Sequence, residues 1–192
     1  NPAFELAYWS WGLKKANDWR ERMGRERNAD WDRMADQMAP WPVVNGVYVE
    51  AESVLEKDGG HPTQLAAYGF LPASAYLDKE VMRKTLRHVL DNWDWADTWG
   101  WDFPLIAMTA IRLNEPEWAL ETLLKSVQKN TYLPNGHNFQ NEGLPLYLPG
   151  NGGLLTVVAM MCAGWDGCTE GNPGFPKNGL WNVKWEGLKP AF

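Results

Sequence analysis

The chain has 192 residues, 45% hydrophobic and 22% charged, with a formal net charge of −6. That balance excludes disorder as the main state, and the negative charge makes a nucleic-acid phosphate backbone a poor partner. No apolar run reaches the ~18 to 20 residues a membrane span needs, and no basic stretch before an apolar core marks a signal peptide.

Pro2, at a favoured first helical position, opens a helix that Gly24 ends. Asn28 caps a second, which stops before Pro40. Residues 41–60 hold one proline, three glycines and the β-type run Val47-Tyr48-Val49, the composition of a long ordered loop. His61-Pro62 starts a third helix that ends by Pro72, and Asp78 a fourth that runs to about Trp93. A fifth starts at Trp101 or Asp102 and reaches Leu113, with Pro104 tolerated in its first turn. Asn114-Glu115-Pro116 caps and opens a sixth, to about Gln128. A loop rich in Pro, Gly and Asn over residues 129–150 leads to a seventh, from Gly152 to about Gly164. Residues 166–192 are too rich in Gly and Pro for helix, and Asn182 to Glu186 reads as a short strand. Residues 1–165 thus form an all-α domain of helical hairpins, and 166–192 an irregular tail packed on it.

The third, fifth and seventh helices are apolar almost all round, whereas the second, fourth and sixth carry charge on one face. A helix without a polar face must be enclosed, and a striped one sits on the surface. That alternation predicts hairpins wound into an inner and an outer layer, with the N-terminal ends of the inner helices gathered at one end. Long loops enter those ends and short ones leave the others, so the functional residues are expected there. The thirteen tryptophans are far above ordinary usage. An indole is a large flat apolar face with one polar handle, suited to packing and to stacking on a neutral sugar. Trp9, Trp11, Trp19, Trp31 and Trp118 sit at helical positions and are assigned to packing. Cys162 and Cys168 are too few for a disulfide framework or a standard zinc site and read as free thiols.

Five segments stand in order along the chain: Asn1-Pro2-Ala3-Phe4-Glu5-Leu6; His61-Pro62-Thr63-Gln64-Leu65 with Tyr68-Gly69-Phe70-Leu71-Pro72; Thr98-Trp99-Gly100-Trp101-Asp102; Met108-Thr109-Ala110-Ile111-Arg112-Leu113; and Leu148-Pro149-Gly150-Asn151-Gly152-Gly153. Together they resemble the C-terminal half of the (α/α)6 barrel of the six-hairpin glycosidases, the clan of α-L-fucosidases and maltose-type phosphorylases. The resemblance implies an all-α (α/α)6 toroid present here as about its C-terminal half. It implies a glycoside hydrolase of the inverting kind, a carbohydrate substrate, and no cofactor or metal. It also implies a partner covering the open inner helices, either an N-terminal half of the barrel or an oligomeric neighbour, and favours a periplasmic or secreted location. In such relatives the general acid glutamate often precedes the helix that begins here. Fucosidase-like members place an aspartate shortly before the Gly-Asn of the last inner helix; this chain has Pro149, so their base does not carry over.

Glycoside hydrolysis needs one protonated carboxyl and one carboxylate. Glu5, one turn into an enclosed helix beside Phe4 and Trp9, is the candidate acid, with a first-turn carboxylate favoured by the helix dipole as its structural alternative. Asp102, between Trp101 and Phe103, is the candidate base, or a helix cap. Asp97 and the more remote Glu142 are further carboxylates at that end. For substrate contact the candidates are Glu50, His61, Gln64, Trp99, Trp101, His137, Asn138 and Asn151. Trp99 and Trp101 flank a glycine that lets an indole face turn into a cleft. The bland roles are a solvated loop acid for Glu50, caps for His61 and Asn151, and a loop network for His137 and Asn138. Gly150-Asn151-Gly152-Gly153 ahead of a helix can hold an anion, which keeps a phosphorylase in view. A polysaccharide lyase would draw on His61, His137 and Tyr132, but few Lys or Arg stand by to hold a uronate. A sugar-binding or scaffold module without chemistry is the remaining alternative.

Overall fold

The computed structural model describes residues 1–54 and 59–191; residues 55–58 of the expected loop and residue 192 of the tail lie outside the described residues. Among those described are α1 (Ala3–Arg22), α2 (Ala29–Asp36), α3 (Thr63–Gly69), α4 (Lys79–Asn92), α5 (Asp102–Arg112), α6 (Pro116–Leu123) and α7 (Leu148–Ala163). Two hairpins, β1 (Val43–Val44) with β2 (Val47–Tyr48) and β3 (Thr131–Tyr132) with β4 (Asn138–Phe139), lie in the long connections. The chain is mostly helical, and no described helix is long and apolar enough to cross a membrane.

The odd-numbered helices form a row. α1 packs on α3, α3 on α5, and α5 on α7, while α2 covers α1, α4 covers β2 with α3 and α5, and α6 covers α5. The alternation of apolar and striped helices is therefore a two-layer arrangement. The first turns of α1, α3, α5 and α7 all line one cavity, through Phe4, Thr63, Leu105 and Pro149, so their N-terminal ends do gather at one end. Every residue of α5 is buried, and α3 is buried from Gln64 to Gly69.

Enclosure fails at the ends of the row. In α7, Leu155 is 73% exposed and Leu148 62%, and in α1 Trp9 is 61% exposed. A helix at the end of a row has a neighbour on one side only, so its apolar surround is half open. Trp9 and Trp19, expected to pack, instead face water; Trp19 carries the Arg22 guanidinium at 4.8 Å from its ring.

Four boundaries differ from the sequence expectation. In the segment expected as loop, Asn45 and Gly46 both take positive φ and close β1 onto β2, the backbone of a type I′ turn. α6 stops at Leu123, because Asn130 Nδ2 donates to the Leu123 and Lys125 carbonyls and turns the chain away. α7 starts at Leu148, with Pro149 in its first turn, so Gly150 to Gly153 lie inside the helix and not in a loop ahead of it. Asn182 to Glu186 is not a strand: among the described residues no edge pairs with it, and the tail's one ladder contact is the bridge of Ala191 to Trp165.

The α3–α5 crossing is set by Gly69. A Cβ there would sit 2.8 Å from the Thr109 amide nitrogen and 3.2 Å from the Leu105 carbonyl oxygen, both rigid helix backbone. Gly69→Ala is expected to cost about 1 to 3 kcal/mol despite alanine's better helix propensity, read as a lower urea midpoint at unchanged m-value. An unchanged midpoint would show that the two helices separate freely.

Candidate functional site

The first turn of the buried α5 carries a carboxylate to a place that water does not reach. Asp102 is fully buried, and its Oδ2 accepts the Trp99 backbone N–H at 2.7 Å. His61 Nδ1 lies 3.1 Å from both Asp102 oxygens, and Trp101 Nε1 is also 3.1 Å from that nitrogen. Nδ1 holds one proton or none. With Asp102 ionised it donates to the carboxylate; with Asp102 protonated it accepts, from Asp102 or from the indole. The imidazole is 36% exposed, and its Nε2 has no hydrogen-bond partner among the described residues. The arrangement is a histidine held by a buried acid on one nitrogen and open on the other, suited to taking or giving a proton or donating to a hydroxyl.

Burial pushes the Asp102 carboxyl up to about 6, with the Asp97 charge adding to the rise; the Trp99 N–H and His61 oppose it. Aromatic rings surround the pair. Trp101 stands edge-on to His61 at 5.0 Å, Trp99 at 6.0 Å, and Tyr147 lies 5.4 Å from Trp99. Trp99, at 38% exposure, is the open face of this group. The Tyr147 phenol is raised, first by burial and then by the Asp102 charge.

A second layer fixes the Trp99–Gly100–Trp101 turn. Gln140, fully buried, accepts the Gly100 N–H at 2.9 Å. Asn138, also fully buried, donates to the Lys129 and Thr131 carbonyls and lies against the Cα atoms of Gly100 and Gly150, where any Cβ would collide with it. Asn151 accepts the Asn138 N–H at 3.0 Å and donates to Gly136 at 2.7 Å, tying the β3–β4 hairpin to α7.

Of the residues expected from sequence, His61, Trp99, Trp101 and Asp102 meet in one cluster. Asp102 does not offer its carboxylate to an open cleft, because both oxygens are engaged and buried; its outlet is His61. Glu5 is exposed on α1, and the apolar wall expected from Trp9 is absent because Trp9 itself faces water. Gln64 is buried on α3, with Oε1 lacking a hydrogen-bond partner among the described residues. Asn138 Nδ2 donates to backbone carbonyls, the loop-network role, while Asn151, inside α7, bonds hairpin backbone and caps no helix. His137 sits half-buried in the hairpin turn, its backbone N–H on Asn135. Glu50 is half-buried, and its carbonyl accepts the Ala3 N–H beside the start of α1. Gly150 and Gly153 are explained by close approach to Asn138 and Pro104, which replaces the anion-loop reading. Tyr147 and Gln140 are the additions; the only sequence signal for either is a position just ahead of an inner helix or inside a long loop.

No cluster of three or more His, Cys, Asp or Glu able to hold a metal exists among the described residues. Compared with protein-family models and with curated proteins, the chain matches none.

Because the folded-state carboxyl titrates near 6 and the unfolded one near 3.8, the folded chain keeps a proton between those values that the unfolded chain has lost. Raising the pH through that window therefore lowers stability, by about 3 kcal/mol for the shift of about two units. Asp102→Asn keeps an acceptor for Trp99 and removes the titration. Urea unfolding at pH 4 and pH 7 should show the variant gaining that amount on the wild type; a pH-independent gap would contradict the assignment.

Proposed function

We propose that the chain is about half of an (α/α)6 toroid from a carbohydrate-active enzyme, a glycoside hydrolase that binds its sugar over Trp99 and His61. The observation that carries this reading is the gathering of His61, Trp99, Trp101 and Tyr147 around buried Asp102, at the end where the inner helices begin. Trp99 supplies an open indole face for a pyranose ring, and His61 Nε2 is free to bond a hydroxyl or move a proton. The resemblance of the five ordered segments to six-hairpin glycosidases supports the same assignment.

In this reading the row α1–α3–α5–α7 is an arc of the inner ring. The apolar flanks at Leu148, Leu155 and Trp9 are where a covering half or neighbouring subunit would pack, each large side chain gaining ~1.5 to 3 kcal/mol on burial. Glu5 and Asp97 are exposed carboxylates, Asp97 close enough for its charge to act on Asp102, and a further one would come from the covering half. A second reading has one observation in its favour. The buried Asp102 and the uncovered Glu5 do not form a pair of carboxylates facing a bond, which suits sugar binding without hydrolysis.

Neutral and uronic oligosaccharides, titrated calorimetrically and screened for turnover with and without phosphate, test the proposal. Neutral sugars should bind, and Trp99→Ala should weaken binding by roughly tenfold, the loss of one stacking face. Turnover that needs phosphate would replace hydrolase by phosphorylase. A chain that binds no sugar, or binds it equally well as Trp99→Ala, would end the reading.

A further inference from the structure

We infer that the cavity between α1, α3, α5 and α7 is a binding site for a neutral aromatic or alicyclic group. The further identification of that group as the aglycone of a glycoside rests on the proposed function; the apolar site itself does not.

The cavity has a volume of about 360 Å³, and Phe4, Ala66, Trp101, Leu105 and Met108 line most of it. An apolar cavity of ~150 Å³ already holds a benzene ring, and ligand sites start near ~300 Å³, so this one accommodates a bicyclic group. Among the described residues no charged side chain lines it, which disfavours uronates, phosphates and ammonium groups on desolvation grounds. Leu105 and Met108 are buried and form the floor, while Phe70, Gly152 and Thr156 are exposed and form the rim. The site is therefore open to a ligand from one side.

Two further observations bear on how a ligand would sit there. The Trp101 indole is shared: its Nε1 reaches His61 at 3.1 Å, while the residue also lines the cavity. A group seated there is thus one side chain away from the His61–Asp102 pair. The second is Gly152. Its neighbours Gly150 and Gly153 are forced by contact with Asn138 and Pro104, but a Cβ at Gly152 would meet nothing within 4 Å. Glycine inside a helix costs about 0.5 to 1 kcal/mol relative to alanine, and packing does not require it at this position. Gly12 inside α1 is open in the same way, so what Gly152 contributes is a rim that a larger side chain would narrow. The larger hollow beside α1, about 550 Å³, offers no such site, because Lys14 and Arg27 on its wall are already paired with Asp36 and Asp18.

Titration of the full chain with 2-naphthol and cyclohexanol, followed by calorimetry and ligand-observed NMR, tests the inference. Saturable binding at one site per chain is expected. Gly152→Leu places a side chain in the open space and should weaken it by roughly tenfold or more, while Gly152→Ala, adding one methyl, should bind within about twofold of wild type. Both variants raise helix propensity, and thermal melts check that they fold. Absence of saturable binding, or binding that Gly152→Leu leaves unchanged, overturns the site. Neutral-sugar binding without naphthol binding overturns the cavity alone. Naphthol binding without sugar binding supports the cavity and overturns both the aglycone identity and the sugar reading. Phenyl glycosides binding more tightly than their methyl counterparts, with the gain lost in Gly152→Leu, would support the two parts together.

Discussion

The structure depends on the complete enclosure of α5. α3, α6 and α7 close on it from three directions, and α4 touches it from the outer layer. Two approaches are close enough to forbid a side chain: Gly69 of α3 against Thr109, and Gly153 of α7 against Pro104. Enclosure of that kind fixes the rod along its whole length, including its first turn. Asp102 is carried with it into a place where an ionised carboxylate is costly. The Trp99 N–H and the His61 ring are what make the position tolerable, and the carboxyl still titrates near 6. The polar cluster is a consequence of how the helices pack, not a decoration on their surface.

The loops above the row are organised by a similar economy of space. Asn138 is wedged between Gly100 and Gly150, and its Oδ1 has no conventional hydrogen-bond partner among the described residues. A buried acceptor left without a donor costs about 1 to 3 kcal/mol, and contact with glycine Cα–H groups recovers a part of that. What the arrangement secures is position. Asn138 holds the start of the β3–β4 hairpin down on the Trp99–Trp101 turn, Gln140 holds the turn through Gly100, and Asn151 holds the hairpin to α7. Three loops distant in sequence thereby become one rigid rim, and the exposed Trp99 face is set at a fixed distance from His61.

Much of this was legible in the sequence because helix starts are local signals. His61-Pro62 and Trp101-Asp102 each stand where a capping pattern meets an apolar run, so both could be placed at the same end before their contact was known. The all-round apolar composition of the fifth helix likewise announced its burial. Tyr147 and Gln140 were not legible, since their roles come from contacts some forty residues away and leave no periodic trace. Gly150, Asn151, Gly152 and Gly153 misled for a related reason: consecutive glycines resemble a loop, and only the neighbouring Asn138 and Pro104 show why a helix would carry them. Glu5 and Trp9 misled because composition cannot tell a helix inside a row from one at its end.

That last distinction bears on how the proposed toroid would work. α3 and α5 have a neighbour on each side and expose almost nothing, whereas α1 and α7 have one and leave Trp9, Leu148 and Leu155 in water. The same open side is the rim of the apolar cavity, where Phe70, Gly152 and Thr156 are exposed. A surface that covered α7 would therefore do two things at once: remove large side chains from water and complete the wall opposite Trp101. The division of labour follows from geometry. The buried rod α5 can fix a histidine and its acid with accuracy but cannot present a carboxylate, since any carboxylate it holds is sealed in. An acid that must touch solvent and substrate has to come from a loop, from an open end of the row such as α1, or from the covering surface.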